Sequence, residues 1–170
     1  MQLLNGTILD ATALIDFCWL NEWGWLQQHY SPLYIAQELL DSDQLELPTR
    51  QAAHQYLTPV NLSTAEMFTS FLEFSVRAPL LSIADRSTIA IARHQLLICA
   101  SDDGLVIKTC ETYNITYTRT LRLLTEMVYT EYKTVIEVMA MADKLIQERG
   151  KHISPKILTD WKTSLQKYGN

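Results

Sequence analysis

Residues Leu96–Ala100 are an unbroken apolar run that stops at Ser101-Asp102-Asp103-Gly104. The run is too short for a core helix. Bounded by turn formers, it reads as a strand buried on both faces, the condition of strands in a parallel sheet. Thr7-Ile8-Leu9 repeats the arrangement, running into Asp10 and then into Ala11–Asn21, whose apolar residues recur at helical spacing. Asp10 and Asp102 therefore each stand where a strand ends and a helix begins.

The chain between them keeps this alternation. Leu33–Ala36 is a short extended run leading into Gln37-Glu38-Leu39-Leu40, although Ser31-Pro32 could also cap and open a helix there. In either case Glu38 lies on the first turns of a helix. A helix is predicted from Pro48 to about Leu57, and Pro59 makes Thr58–Leu62 a connector or an edge segment. Ser63-x-x-Glu66 has capping-box spacing and opens a helix through Arg77; Ser82-x-x-Asp85 repeats that signature before Arg86–Gln95. Leu105–Tyr113 reads as a helix, Asn114 as its left-handed stop and Ile115–Thr118 as a strand.

Strands alternating with helices pair in parallel, and ligands of such sheets bind outside the carboxyl ends of the strands. Asp10 and Asp102, distant in sequence, thus belong to one rim. From Thr120 to Gly150, Leu121, Leu124, Val128, Tyr132, Val135, Met139, Ala142 and Ile146 form one helical stripe. Ser154-Pro155 then opens a final helix bearing Ile157, Leu158, Trp161 and Leu165.

Composition narrows the functional classes. With 48% hydrophobic and 19% charged residues the chain is that of a compact protein, and no apolar run approaches a membrane span. The expected setting is cytoplasmic. Cys18, Cys99 and Cys110 are odd in number and lie among apolar neighbours, so they read as buried thiols rather than a disulfide framework. The four histidines lack zinc-ligand spacing. A net charge of −5 argues against a broad nucleic-acid footprint. It is compatible with a nuclease whose acidic pocket is neutralised by cations.

Four segments together resemble the PIN domain family, including toxin ribonucleases of VapC type. They are Leu9-Asp10-Ala11-Thr12-Ala13-Leu14-Ile15-Asp16, Glu38-Leu39, Leu81–Ala92 around Asp85, and Leu97–Asp103. The resemblance covers roughly the first 125 residues, and its most specific part is the Asp85 segment followed by a strand ending in Ser-Asp-Asp. It implies an α/β fold, a three-layer sandwich with a central parallel sheet flanked by helices, plus C-terminal helices. Residues 1–125 would be the nuclease domain and 126–170 a helical extension packed on it.

The resemblance further implies that Asp10, Glu38, Asp85 and Asp102 are catalytic and hold Mg²⁺ or Mn²⁺, with Asp103 close by. Thr12 and Ser101 would supply supporting or phosphate-contacting hydroxyls; Arg86, read from its spacing alone, is a further candidate for such a contact. Carboxylates without His or Cys suit these hard cations better than zinc. The implied activity is a metal-dependent endoribonuclease, the toxin of a toxin–antitoxin pair, with RNA as substrate and an antitoxin and a second copy of the chain as candidate partners. The competing reading is a catalytically silent PIN-like module that binds RNA or protein. Many relatives carry Gly before the Thr that opens the helix after Ile115; here Arg119 precedes Thr120, which bears on substrate entry from that side.

Each acid also has a purely structural reading. Asp85 completes a capping box, Asp102 and Asp103 suit a turn and an N-cap, Asp10 caps the first helix, and Glu38 is a solvated helix acid. Singly these are the better readings, but they do not predict the acids' shared pattern. Asp16 falls off the face of Asp10 and reads as surface. Arg86 with Arg93, and Arg119 with Arg122, could steer phosphates or be solvated helix arginines. Trp19, Trp23 and Trp25 suit core or a dimer patch better than base stacking.

Overall fold

The computed structural model describes residues 4–168. Its centre is a parallel five-stranded sheet in the order β3-β2-β1-β4-β5, formed by β1 (Thr7–Leu9), β2 (Leu33–Ala36), β3 (Thr58–Val60), β4 (Ile98–Ala100) and β5 (Tyr117–Thr118). β1 and β4 are neighbours, with Leu9 opposite Ala100. β3, the strand with Pro59, is at an edge, where a missing N–H donor is tolerated.

The chain leaves β1 in two directions. Through α1 (Ala11–Leu20) and α2 (Trp23–Tyr30) it reaches β2, and through α3 (Gln37–Leu40) and α4 (Leu47–Tyr56) it continues outward to β3. It then crosses back through α5 (Ala65–Arg77) and α6 (Ile83–Gln95) to β4, and through α7 (Gly104–Thr112) to β5. Right-handed crossovers running in opposite directions put their helices on opposite faces. Accordingly α1 packs with β1 and α4, whereas α6 packs across β1, β2 and β4 beside α5 and α7. The rest of the chain forms α8 (Thr120–Tyr129), α9 (Val135–Gln147) and α10 (Pro155–Gln166); α9 covers α1, and α10 covers α9. This is the expected three-layer sandwich.

The core is built from both sheet faces. Ile8, Leu9, Ile35, Cys99 and Ala100 are buried in the strands, Leu14 and Phe17 on one side, and Phe74, Ile89 and Ile91 on the other. Gly6 enters β1 with φ 131°, and a Cβ there would lie 2.5 Å from the Pro32 carbonyl oxygen, so only glycine lets β1 close on the start of β2. Cys99 and Cys110 are buried and Cys18 partly so, all as free thiols.

Three local expectations need correcting. Helix α5 is capped by Thr64, which accepts from the Met67 amide, rather than by Ser63. The stripe from Thr120 to Gly150 is two helices: Glu131 takes φ 55°, and Thr134 and Glu137 form a reciprocal capping box that restarts the chain as α9. The break resets the periodicity, so Leu123, Leu124 and Met127 are buried in α8, and Val138, Ala142 and Leu145 in α9. Of the tryptophans, Trp23 and Trp25 are core, while Trp19 is exposed.

Candidate active site at the carboxyl ends of β1 and β4

The strand order reverses direction between β1 and β4, which makes the gap beyond their carboxyl ends the topological switch point of the sheet. Asp10 follows β1 directly and Ser101-Asp102-Asp103 follow β4. The two ends are tied together. The Asp10 amide donates to the Ala100 carbonyl (3.1 Å), the Asp102 amide to Thr12 Oγ1 (2.8 Å), and Thr12 Oγ1 to Asp10 Oδ1 (2.7 Å). The Ser101 hydroxyl donates to Asp10 Oδ2 and accepts from the Asp103 amide at 3.0 Å.

Three of the acids at this edge cap helices. Asp10 caps α1 by accepting from the Ala13 amide, Asp85 closes a capping box with Ser82 at the start of α6, and Asp103 caps α7 by accepting from the amides of Leu105 and Val106. The caps do more than end helices, because they fix carboxylates against one another. Burial pushes the Asp10 carboxyl up to about 7, against the pull of Ser101, the Ala13 amide and Thr12, and the charge of Asp85 adds to the rise. Asp85 is itself raised, by burial first and by the charge of Asp103 as well. Asp10, Asp85 and Asp103 are therefore electrostatic neighbours.

Glu38 comes to the same edge by another route. The register of β1 with β2, Ile8 opposite Tyr34, extends to put Asp10 level with Ala36, the last residue of β2, directly before α3. Glu38 Oε2 is buried there and has no hydrogen-bond partner among the described residues. A buried carboxylate oxygen without a donor costs desolvation that nothing in the protein offsets.

Asp102 has a different set of partners. Its Oδ2 accepts from the Thr120 hydroxyl (2.6 Å) and amide (3.2 Å) and lies 3.1 Å from Lys151 Nζ. Burial works to raise its carboxyl, but Lys151 and Thr120 outweigh it and hold the group below its usual range. Lys151 also sits 2.6 Å from Asp16 Oδ2, and Arg149 Nε lies 2.9 Å from Asp16 Oδ1. Asp16 is fully buried, so the surface reading was wrong. Measured against Asp10 it leaves the helix face; measured against Ala13 and Leu20, three and four steps away, it lies on the buried stripe of α1. An acid inside an apolar stripe is the signal that would have found it. Lys151 had no such signal, since its approach depends on Gly150, whose φ of 75° turns the chain after α9.

The rim thus has two halves. One holds Asp16 and Asp102 with two cations of the chain itself. The other holds Asp10, Asp85 and Asp103, with Glu38 on α3 beyond the neighbouring strand β2, and among the described residues no Lys, Arg or His nitrogen comes within 4.0 Å of these four carboxylates. No three acid, His or Cys side chains among the described residues are closed into a ready metal cage. Arg86 donates to Ser75 (3.2 Å) and to the Pro79 carbonyl (2.9 Å), and Arg93 to Ser70 (3.1 Å), so both tie α6 to α5.

A parallel sheet in this order, with acids beyond its switch point, defines a three-layer α/β domain. The chain belongs to the PIN domain family, whose model matches residues 6–167, and proteins of this family are generally nucleases. The match runs through α8, α9 and all of α10. Comparison with curated proteins and with solved structures finds no match.

Proposed function

We propose that the chain is a metal-dependent endoribonuclease whose cation binds among Asp10, Glu38, Asp85 and Asp103. The observation that carries this reading is the contrast between the two halves of the rim. Where the chain buries Asp16 and Asp102 it supplies Lys151 and Arg149; where it buries Asp10 beside Asp85, the described residues supply hydrogen bonds but no ion pair. Carboxylates brought together without a counter-cation repel one another and rise in pKa, and a bound cation removes that penalty.

The donor set fits Mg²⁺ or Mn²⁺. All candidate ligands are carboxylate oxygens, one of which, Glu38 Oε2, is buried without a partner. Mg²⁺ is commonly held by few carboxylates and several waters, so a closed protein cage is not required. When bound, such an ion activates water and offsets charge on a phosphodiester in hydrolysis. Ser101 and Thr12 fix the orientation of Asp10 by donating to its two oxygens, and Thr120 and Lys151 hold Asp102 in place at the border of the pocket. The toxin role, with an antitoxin partner, and the cytoplasmic setting are proposed from the resemblance and from the free thiols.

A second reading, a PIN-like module that binds without cleaving, draws support from Lys151, whose ammonium already occupies the Asp102 carboxylate. Incubation of single-stranded RNA with the purified protein separates the two. Hydrolysis is expected with Mn²⁺ or Mg²⁺, loss of it with a chelator, and loss of it in Asp10→Asn and Glu38→Gln proteins that remain folded. Binding of RNA without metal-dependent cleavage would select the silent module. Equal cleavage by wild type and both variants would remove the proposed site.

A further inference from the structure

Beside the rim, on the side of Asp102, a cavity of about 680 Å³ opens between α8 and α10. It begins at Asp102 and Lys151, and it is lined by Arg119 and Arg122 at the start of α8, Tyr129 at its end, and Trp161 on α10. From Arg119 to Tyr129 a helix advances about 15 Å. The charge of this lining runs against the rest of the chain. Arg119, Arg122 and Lys151 face one acid, Asp102, in a protein of net charge −5. Lys151 is committed to Asp16 and Asp102, and Arg122 shares Glu126 at 2.8 Å. Arg119 is exposed and has no carboxylate within 4.0 Å among the described residues.

Of the aromatic groups, Tyr129 is open to contact, while Trp161 packs one side against the core and borders the cavity. Tyr129 is 57% exposed and lies 4.7 Å, ring to ring, from Tyr168, which also borders the cavity. Trp161 is anchored by its indole N–H on Thr125 Oγ1 at 2.9 Å. A groove that offers both cationic groups and aromatic rings is the kind of surface that single-stranded nucleic acids use, with phosphates on the cations and bases on the rings. A groove for a folded protein partner would need no such local reversal of charge.

We propose that the α8–α10 groove binds the single-stranded RNA that leads to the acidic rim, with phosphate on Arg119 and bases against Tyr129 and Trp161. The inference rests on the nuclease reading for its direction, since Asp102 joins groove and rim, but binding is measurable without catalysis. The test is fluorescence anisotropy of a labelled single-stranded oligoribonucleotide in EDTA over a range of KCl. Arg119→Gln should weaken binding about 5- to 10-fold and flatten the salt dependence by roughly 0.7, the share of one phosphate on a single strand. Tyr129→Ala should weaken it by about 5- to 100-fold, the range for one lost stacking contact. Both side chains are exposed, so both variants should melt with the wild type. Arg77→Gln, on α5, should bind as the wild type does.

Unchanged affinity in both groove variants, or equal binding of a duplex of the same sequence, would overturn the proposal. In that case a partner's peptide segment would be the remaining occupant. If the groove variants lose RNA but the wild type cleaves nothing with Mn²⁺, the catalytic reading fails while the groove stands. If the wild type cleaves and the groove variants bind unchanged, the groove alone falls.

Discussion

Asp10 shows how one side chain can serve structure and chemistry with opposite demands. As the cap of α1 it would be as effective in the form of asparagine; as a carboxylate it is fully buried beside Asp85. Its ordinary value is 3.8 and burial moves it up to about 7 in the fold. Between those values the folded chain keeps a proton that the unfolded chain has lost, so stability falls as pH rises through this window. The contribution is complete below about 4 and lost above about 7, a difference of the order of 4 kcal/mol. Asp10→Asn cannot titrate. In EDTA near pH 8 it should therefore melt above the wild type, with the gap closing toward pH 4; thermal scans across pH check this, and a mutant melting below the wild type at pH 8 would contradict it. Lys151 carries the reverse expectation. Lys151→Met leaves Asp16 and Asp102 buried without their ammonium, and removing one partner of a buried pair costs about 3 to 5 kcal/mol. Urea unfolding at pH 7 measures that loss, and an unchanged midpoint would mean that Arg149 and Thr120 suffice.

At the scale of elements, the helix caps are what bring distant carboxylates to one edge. Ser82 accepts from the Asp85 amide at 3.0 Å and its hydroxyl donates to Asp85 Oδ2 at 2.7 Å, so the same box that starts α6 orients a candidate ligand. Ser82→Ala should cost about 1 kcal/mol of stability by loss of the cap. Because it also frees the Asp85 carboxylate, it should lower the affinity for Mn²⁺, a change that equilibrium titration would read and that a purely structural cap would not produce. The strands at Thr7, Leu33 and Ile98, the helix after Ser82 and the stop at Asn114 were legible because each carries a local signal, whether an apolar run, a cap or a left-handed residue. The placement of α5's cap at Thr64 and the break at Glu131 were not. Adjacent Ser and Thr offer equivalent oxygens, and a short turn between two amphipathic helices leaves apolar residues at three- and four-residue steps that read as one stripe.

For the whole molecule, topology and family pattern marked Asp10, Glu38, Asp85, Asp102 and Asp103 as candidates in the sequence, but gave no sign of the division of the rim. That division depends on Arg149 and Lys151, which reach α1 and β4 only after α9 has folded across α1. The C-terminal helices are therefore part of the site's electrostatics as well as of its cover, with Leu165 of α10 fully buried. A chain ending at Gly150 should lose the Lys151 pair and the packing of Leu165 and Trp161. Circular dichroism melts should show it markedly less stable, and a truncated chain as stable as the full one would place the extension outside the domain. The central claim concerns the other half of the rim, and calorimetric titration of Mn²⁺ into metal-free protein tests it most directly, without any need for the right RNA. Saturable binding by the wild type, at least tenfold weaker in Asp10→Asn and in Glu38→Gln, is the predicted result; no heat of binding at millimolar Mn²⁺, or equal binding by all three proteins, would contradict it.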